Sequence, residues 1–180
     1  MDLTLSHLVL AVLVTIAAGL DLAHHKIPNW LTYTGMVVGL AFGGLAGGWP
    51  GLGMAALGLL AGFVPMLVMY MGGGLGAGDV KLMGAVGALL GYPLALNALV
   101  ASIIVGGFCA ALILLWQGRL LAILKHFISR LWSMVYLPHV AEPLPEHKDS
   151  FPFGVAIALG TYLVLASVYS GAYNPAGLFS

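Results

Sequence analysis

The sequence predicts an all-helical, polytopic membrane protein, and three observations carry that prediction. Of its 180 residues 61% are hydrophobic and only 7% are charged, against about 25% charge in an ordinary soluble domain. Such a chain lacks the polar surface to cover itself in water. Its apolar runs divide the length into about six stretches near the ~20 residues needed to cross a bilayer. Lastly, all the lysines and arginines fall where those stretches end.

The runs are expected as spans at about 4–22, 30–48, 51–71, 79–91, 93–117 and 152–170. The first residues, MDLTLSHLVL, have no basic region ahead of the apolar run, so that run is expected as a retained span rather than a cleaved signal. GGWPG (47–51) and GYP (91–93) read as tight turns. Spans two to four carry glycines four residues apart, as in Gly39, Gly43, Gly47 and Gly51, and again in Gly58 and Gly62. Small residues at that spacing let helices approach closely in lipid. Between spans five and six, residues 118–150 read differently. Arg119, Lys125, His126, Ser129, Arg130 and Ser133 gather on one helical face among Leu, Ile, Phe and Trp, which predicts an amphipathic helix over 119–137 lying in the membrane interface. A proline-broken polar loop follows it. The whole of 1–180 is expected to form a single membrane-embedded domain.

Orientation comes from the basic residues. Lys26 follows span one, Lys81 follows span three, and Arg119, Lys125, Arg130 and Lys148 follow span five. All lie at odd-numbered connections, so those connections are expected in the cytoplasm and both termini on the outer side. Net charge is zero, which argues against nucleic acid as a partner. The single cysteine, Cys109, rules out an internal disulfide and a cysteine-based zinc site, and is read as packing.

From Ile27 to Gln117 the only charged side chains are Asp79 and Lys81. Asp79 follows GGGLGAG (72–78), which has too much glycine for a regular helix. Span four is short. Thirteen residues give about 20 Å of helix against a hydrocarbon core of about 30 Å, which would set Asp79 inside the membrane. Irregular backbone at that depth must be buried in protein or line a wet cavity, so the glycines are expected to wall a cavity bearing the carboxylate. The structural alternative is an N-cap, with Lys81 snorkelling to the interface. Asp21, in DLAHHKIPNW at the end of span one, shares the same membrane face. Its structural alternative is a solvated boundary residue paired with Lys26. Two carboxylates in one site hold their protons unequally, which suits them to polarise a water and protonate a leaving amine.

Other chemistries fit less well. Asp21, His24 and His25 are near in sequence, but there is no H-E-x-x-H and no cysteine partner for a metal. Ser102 and Ser167 lie in apolar spans without a histidine context for nucleophilic attack. A small proton- or cation-coupled transporter component is the alternative from another class, with Asp79 binding the ion; the halves of the chain show no convincing repeat. A non-catalytic assembly subunit of a secretion system is a further one.

These residues resemble a known family. GAGDVKL (76–82) resembles the G-x-G-D signature of type IV prepilin peptidases, DLAHHKIPNW (21–30) resembles their first motif, and FPFG (151–154) is similar to the proline-glycine motif that opens their last helix. The order and separation match the family across the chain. The resemblance implies an intramembrane aspartyl endopeptidase of the bacterial inner membrane, without cofactor or metal, which removes a short basic leader from prepilins or pseudopilins at the cytoplasmic face. It implies Asp21 and Asp79 as the catalytic pair, with Gly76, Gly78, Lys81, Ile27, Pro28, Asn29, Pro152 and Gly154 shaping the site. Its implied partners are the substrate, the lipid bilayer and the assembly proteins of a pilus or secretion system. Larger members begin with a segment bearing two C-x-x-C pairs and also methylate the new N-terminus. This sequence starts at its first span with one cysteine, and is expected to be a compact Tad/Flp-pilus type that cleaves without methylating.

Overall fold

A computed structural model describes residues 3–73, 75–116 and 152–171. Among these there are five helices and no strand: α1 (Leu3–His24), α2 (Asn29–Met71), α3 (Ala77–Leu90), α4 (Leu94–Trp116) and α5 (Phe153–Tyr169). The expected interfacial helix and polar loop lie outside the described residues. By its packing the chain divides into two units, residues 1–106 with 152–180, and residues 107–151. Of the second, the last turns of α4 are described, and Cys109 there is free and half-buried.

The helix α2 is not one rod. Gly48 holds φ 60° and ψ −144° within it, a conformation that costs a side-chain-bearing residue about 1–3 kcal/mol. The chain reverses at that point. In a straight helix residues 43 and 51 would be about 12 Å apart, yet a Cβ on Gly43 would lie 2.7 Å from the Gly51 carbonyl oxygen and equally near the Ala55 Cβ. Two arms result, before and after the GGWPG turn, as the apolar runs 30–48 and 51–71 predict. With α2 doubled, the first unit and the start of α4 provide six helical rods.

The short helix α3 is clasped between these arms. Gly35 and Gly39 on the first arm face Ala85 and Ala88, and Gly58 and Gly62 on the second face the carbonyl oxygens of Gly87 and Met83. At Gly39, Gly58 and Gly62 any Cβ would collide with α3, and at Gly35 it would press on Ala85 and collide with Leu13 of α1. The spacing of four marks one face of each arm, and that face receives α3. The seal continues at the end of α3, where the Tyr92 N–H donates to the Met54 carbonyl at 3.1 Å.

The remaining helices close around the other side of α3. Leu10, Val14 and Ala17 of α1, Leu82, Met83 and Val86 of α3, Met66 of α2 and Ile157 of α5 form the buried core. The helices α1 and α5 run antiparallel in register: His7 meets Tyr169 at 3.2 Å, and Thr15 meets Tyr162 at 2.6 Å. Helix α4 lies against α5 where Gly160 meets the Ser102 backbone. The buried hydroxyls of Ser102 and Thr161 bond to carbonyls one turn back, which satisfies them within their own helices.

Three helices contain stretches long and apolar enough to cross a membrane, Leu5–His24, Asn29–Met71 and Leu94–Ile113. At 14 and 17 residues α3 and α5 are shorter than that. The outward faces are apolar too, with Leu8, Val12, Val37, Leu57, Val68, Ile104 and Leu163 each more than half exposed. A surface of that kind suits hydrocarbon.

Candidate active site

The two acids that the sequence singles out come from different helices and end in the same place. Asp21 sits in the last turn of α1 and Asp79 in the first turn of α3. Only 6% and 8% of their surfaces are exposed. Helices α1 and α3 pack against each other, and Ile27, just past the end of α1, lies against Gly78 beside Asp79.

Each carboxylate is held by a main-chain amide. The Gly154 N–H donates to Asp21 Oδ2 at 2.7 Å, and the Gly76 N–H donates to Asp79 Oδ2 at 3.2 Å. Asp21 makes no ion pair with Lys26 among the described residues, and it is buried rather than solvated at the boundary. The expected alternative of a surface pair is therefore corrected. Its position near the C-terminus of α1 is unfavourable by the helix dipole, and the N-terminus of α5 supplies the compensating donor. Asp79 differs in detail from the N-cap alternative. Helix α3 starts at Ala77, with Gly76 as its N-cap, and Asp79 occupies the third helical position and reaches back to the cap N–H. A carboxylate there also complements the positive end of the helix.

The remaining motif residues brace this arrangement. A Cβ on Gly78 would lie 3.2 Å from Ile27 Cβ, so the first motif and the glycine loop pack directly together. Pro28 caps α2 and its carbonyl accepts the Leu31 N–H at 3.2 Å. Lys81 Nζ donates to Asn29 Oδ1 at 2.8 Å and stands 5.0 Å from the centre of the Tyr33 ring. Pro152 caps α5. His25 follows Asp21 with φ 50° and turns the chain out of α1. All the residues named as candidates thus gather at one end of α3.

A cavity of about 390 Å³ lies at the other end of α3, lined by Gly39, Gly43, Gly51, Met54 and Gly91. It forms because α3 ends at Leu90 while the arms of α2 run on to their turn. At the acid end the loop glycines Gly76 and Gly78 admit carboxylate and isoleucine atoms at close range. As to metal, among the described residues no group of three or more His, Cys, Asp or Glu side chains comes together.

A sequence model described as the type IV leader peptidase family matches residues 8–111. The chain belongs to that family. The matched stretch carries Asp21, Asp79 and both arms of the clasp, and stops before α5. A curated relative of the type IV leader peptidases, a prepilin leader peptidase/N-methyltransferase from Aeromonas hydrophila, is 35% identical over 112 residues, which is 58% of this chain and 38% of the relative. The match thus takes in about two-fifths of that relative's length. No solved structure matches the chain.

Proposed function

We propose that this type IV leader peptidase family member is an aspartic endopeptidase that removes the short basic leader of a prepilin-like substrate. The observation that carries the reading is that Asp21 and Asp79 are both buried at the same end of α3, each held by a glycine amide. They lie on different helices, both are buried, and each leaves one oxygen unbonded among the described residues. Burying two like charges side by side is costly, and a shared proton relieves that cost. A carboxyl pair holding one proton can act as base toward water and as acid toward the scissile amide.

The mechanism follows from that shared proton. A water between the carboxyl groups gives a proton to the ionised one as its oxygen bonds to the scissile carbonyl carbon. The protonated partner donates to the carbonyl oxygen, which yields a neutral gem-diol. Proton transfer to the nitrogen then breaks the C–N bond. As the gem-diol collapses its second hydroxyl proton returns to the pair; the leader leaves as a carboxylate, the mature chain as an ammonium, and the pair again holds one proton. No cofactor enters these steps.

Orientation is part of the proposal. Lys26 and Lys81 stand at the same end of the bundle as the two acids, and the positive-inside rule sets that end at the cytoplasmic face of the inner membrane. The six rods then cross six times, with both termini outside. Thin crossings at α3 and α5 are met by local bilayer thinning or tilt of their neighbours. The substrate is a prepilin or pseudopilin, whose basic leader stays in the cytoplasm. The methyl transfer in the relative's name forms no part of this proposal.

Co-expression with a prepilin tests it. The wild-type chain is expected to release the leader, seen as a mobility shift and a new N-terminus. Asp21→Asn and Asp79→Asn should each insert normally and release none. Proton flux through reconstituted vesicles without cleavage would favour an ion-coupled carrier and overturn the reading.

A further inference from the structure

The two acids are held in the same way by parts of the chain far apart in sequence. Gly76 precedes Asp79 by three residues, while Gly154 follows Asp21 by 133. In both cases the donor is a glycine N–H at the opening of a helix, and in both it binds one oxygen of the carboxyl group. The reason for glycine is also the same. A Cβ on Gly154 would lie 2.8 Å from Asp21 Oδ2 and 3.1 Å from Asp21 Cβ, and one on Gly76 would lie 3.0 Å from Asp79 Oδ2. The amide can come within bonding distance because nothing projects from the α-carbon.

We infer that Gly154 is a positioning residue of the pair, the counterpart of Gly76, and that the two amides together decide which oxygens react. This rests on the reading of Asp21 and Asp79 as the catalytic pair. In each acid one oxygen is tied to its amide, so on this proposal the other oxygen of each is the one that shares the water and the proton. Fixed main-chain donors orient a carboxylate more rigidly than a side-chain donor, since they have no rotamer to lose. Gly76 lies in the same loop as its acid and moves with it. Gly154 belongs to α5, so the geometry of the pair depends on α5 staying docked against α1. Proline at 152 starts α5 with a fixed φ, and its carbonyl accepts the Val155 N–H at 3.2 Å, which sets the direction of the amide between them.

Steady-state cleavage by the full-length purified protein tests this, together with infrared difference spectra of the carboxyl groups. The Asp21 band is identified by its loss in Asp21→Asn. Gly154→Ala is expected to lower kcat by about 100-fold with KM nearly unchanged, the signature of misplaced groups rather than lost binding. It should also shift the Asp21 band. Pro152→Ala keeps glycine at 154 and adds no atom near the acid; it should lower kcat several-fold and move the same band less, and it stands in if Gly154→Ala does not fold. Wild-type kcat and an unmoved Asp21 band in either folded variant would overturn the positioning role. If instead Asp21→Asn cleaves normally, the catalytic-pair reading itself fails.

Discussion

The two ends of α3 are both built on glycine and use it for opposite purposes. Toward Gly91, glycine lets backbone touch backbone. Gly58 meets the Gly87 carbonyl and Gly39 meets the backbone of Ala88, with no polar side chain between. Toward Asp79, glycine lets backbone touch a carboxylate, with Gly76 and Gly154 presenting their N–H groups to the two acids. One residue type therefore makes a tight apolar joint at one end and a polar socket at the other. What differs is the partner: a carbonyl with nothing to exchange at the first, an acid that needs a donor at the second. The lesson is that glycine count alone does not locate a site. The acid beside the glycine does.

The comparison can be broken most forcefully at the socket. Asp79→Asn and Asp21→Asn keep the shape and remove the shared proton, so leader cleavage should fall by about 10³-fold or more while thermal unfolding in detergent changes little. Equal loss of folding would mean that the acids are structural. The joint should respond in reverse. Gly58→Ala drives a methyl into the Gly87 carbonyl and should destabilise the bundle by about 3 kcal/mol, read as a lower melting temperature, whereas any protein that remains folded should still cleave. A smaller effect is expected at the brace. Lys81→Met removes the bond to Asn29 and the contact with Tyr33, and a loss of about 1 kcal/mol in stability should appear without a change in cleavage-site choice. The smallest sharpens the contrast from outside. Gly19 on α1 has open space around its α-carbon, so Gly19→Ala should be neutral or raise stability by about 0.5 kcal/mol, seen as an unchanged or slightly higher melting temperature.

Much of this arrangement is legible in the sequence because membranes simplify it. Apolar runs and turn residues mark the rods, and α1 to α5 begin and end within two residues or so of the runs that predict them. The reversal at Gly48 follows from GGWPG. Asp79 stands out because an acid is conspicuous where charge is otherwise absent. The partnerships are harder to see. That Gly154 would bind Asp21 follows from no local pattern, since it depends on the antiparallel register of α1 and α5, which pairs residue 7 with 169 and 15 with 162. The glycines spaced by four announce a close approach but not that α3 is what approaches. The start of α3 at Ala77 instead of Asp79 is also invisible in the composition, because Gly76, Ala77 and Gly78 read as loop until the Gly76 N–H finds the acid three residues on.

The clasp around α3 has a consequence for the living cell. Hydrolysis inside a membrane protein requires water to descend to the acids, and any wet passage threatens to short-circuit the ion gradients on which the cell runs. Past Lys81, residues 82–91 offer only aliphatic, methionine and glycine positions, and the close main-chain contacts with Gly58 and Gly62 flank them before the cavity at the Gly91 end. Along α3 itself no titratable side chain follows Lys81 as far as Gly91 to carry a proton onward. The same joint that lets a short rod fit among longer ones would thus keep the proposed chemistry from opening a wet path along α3.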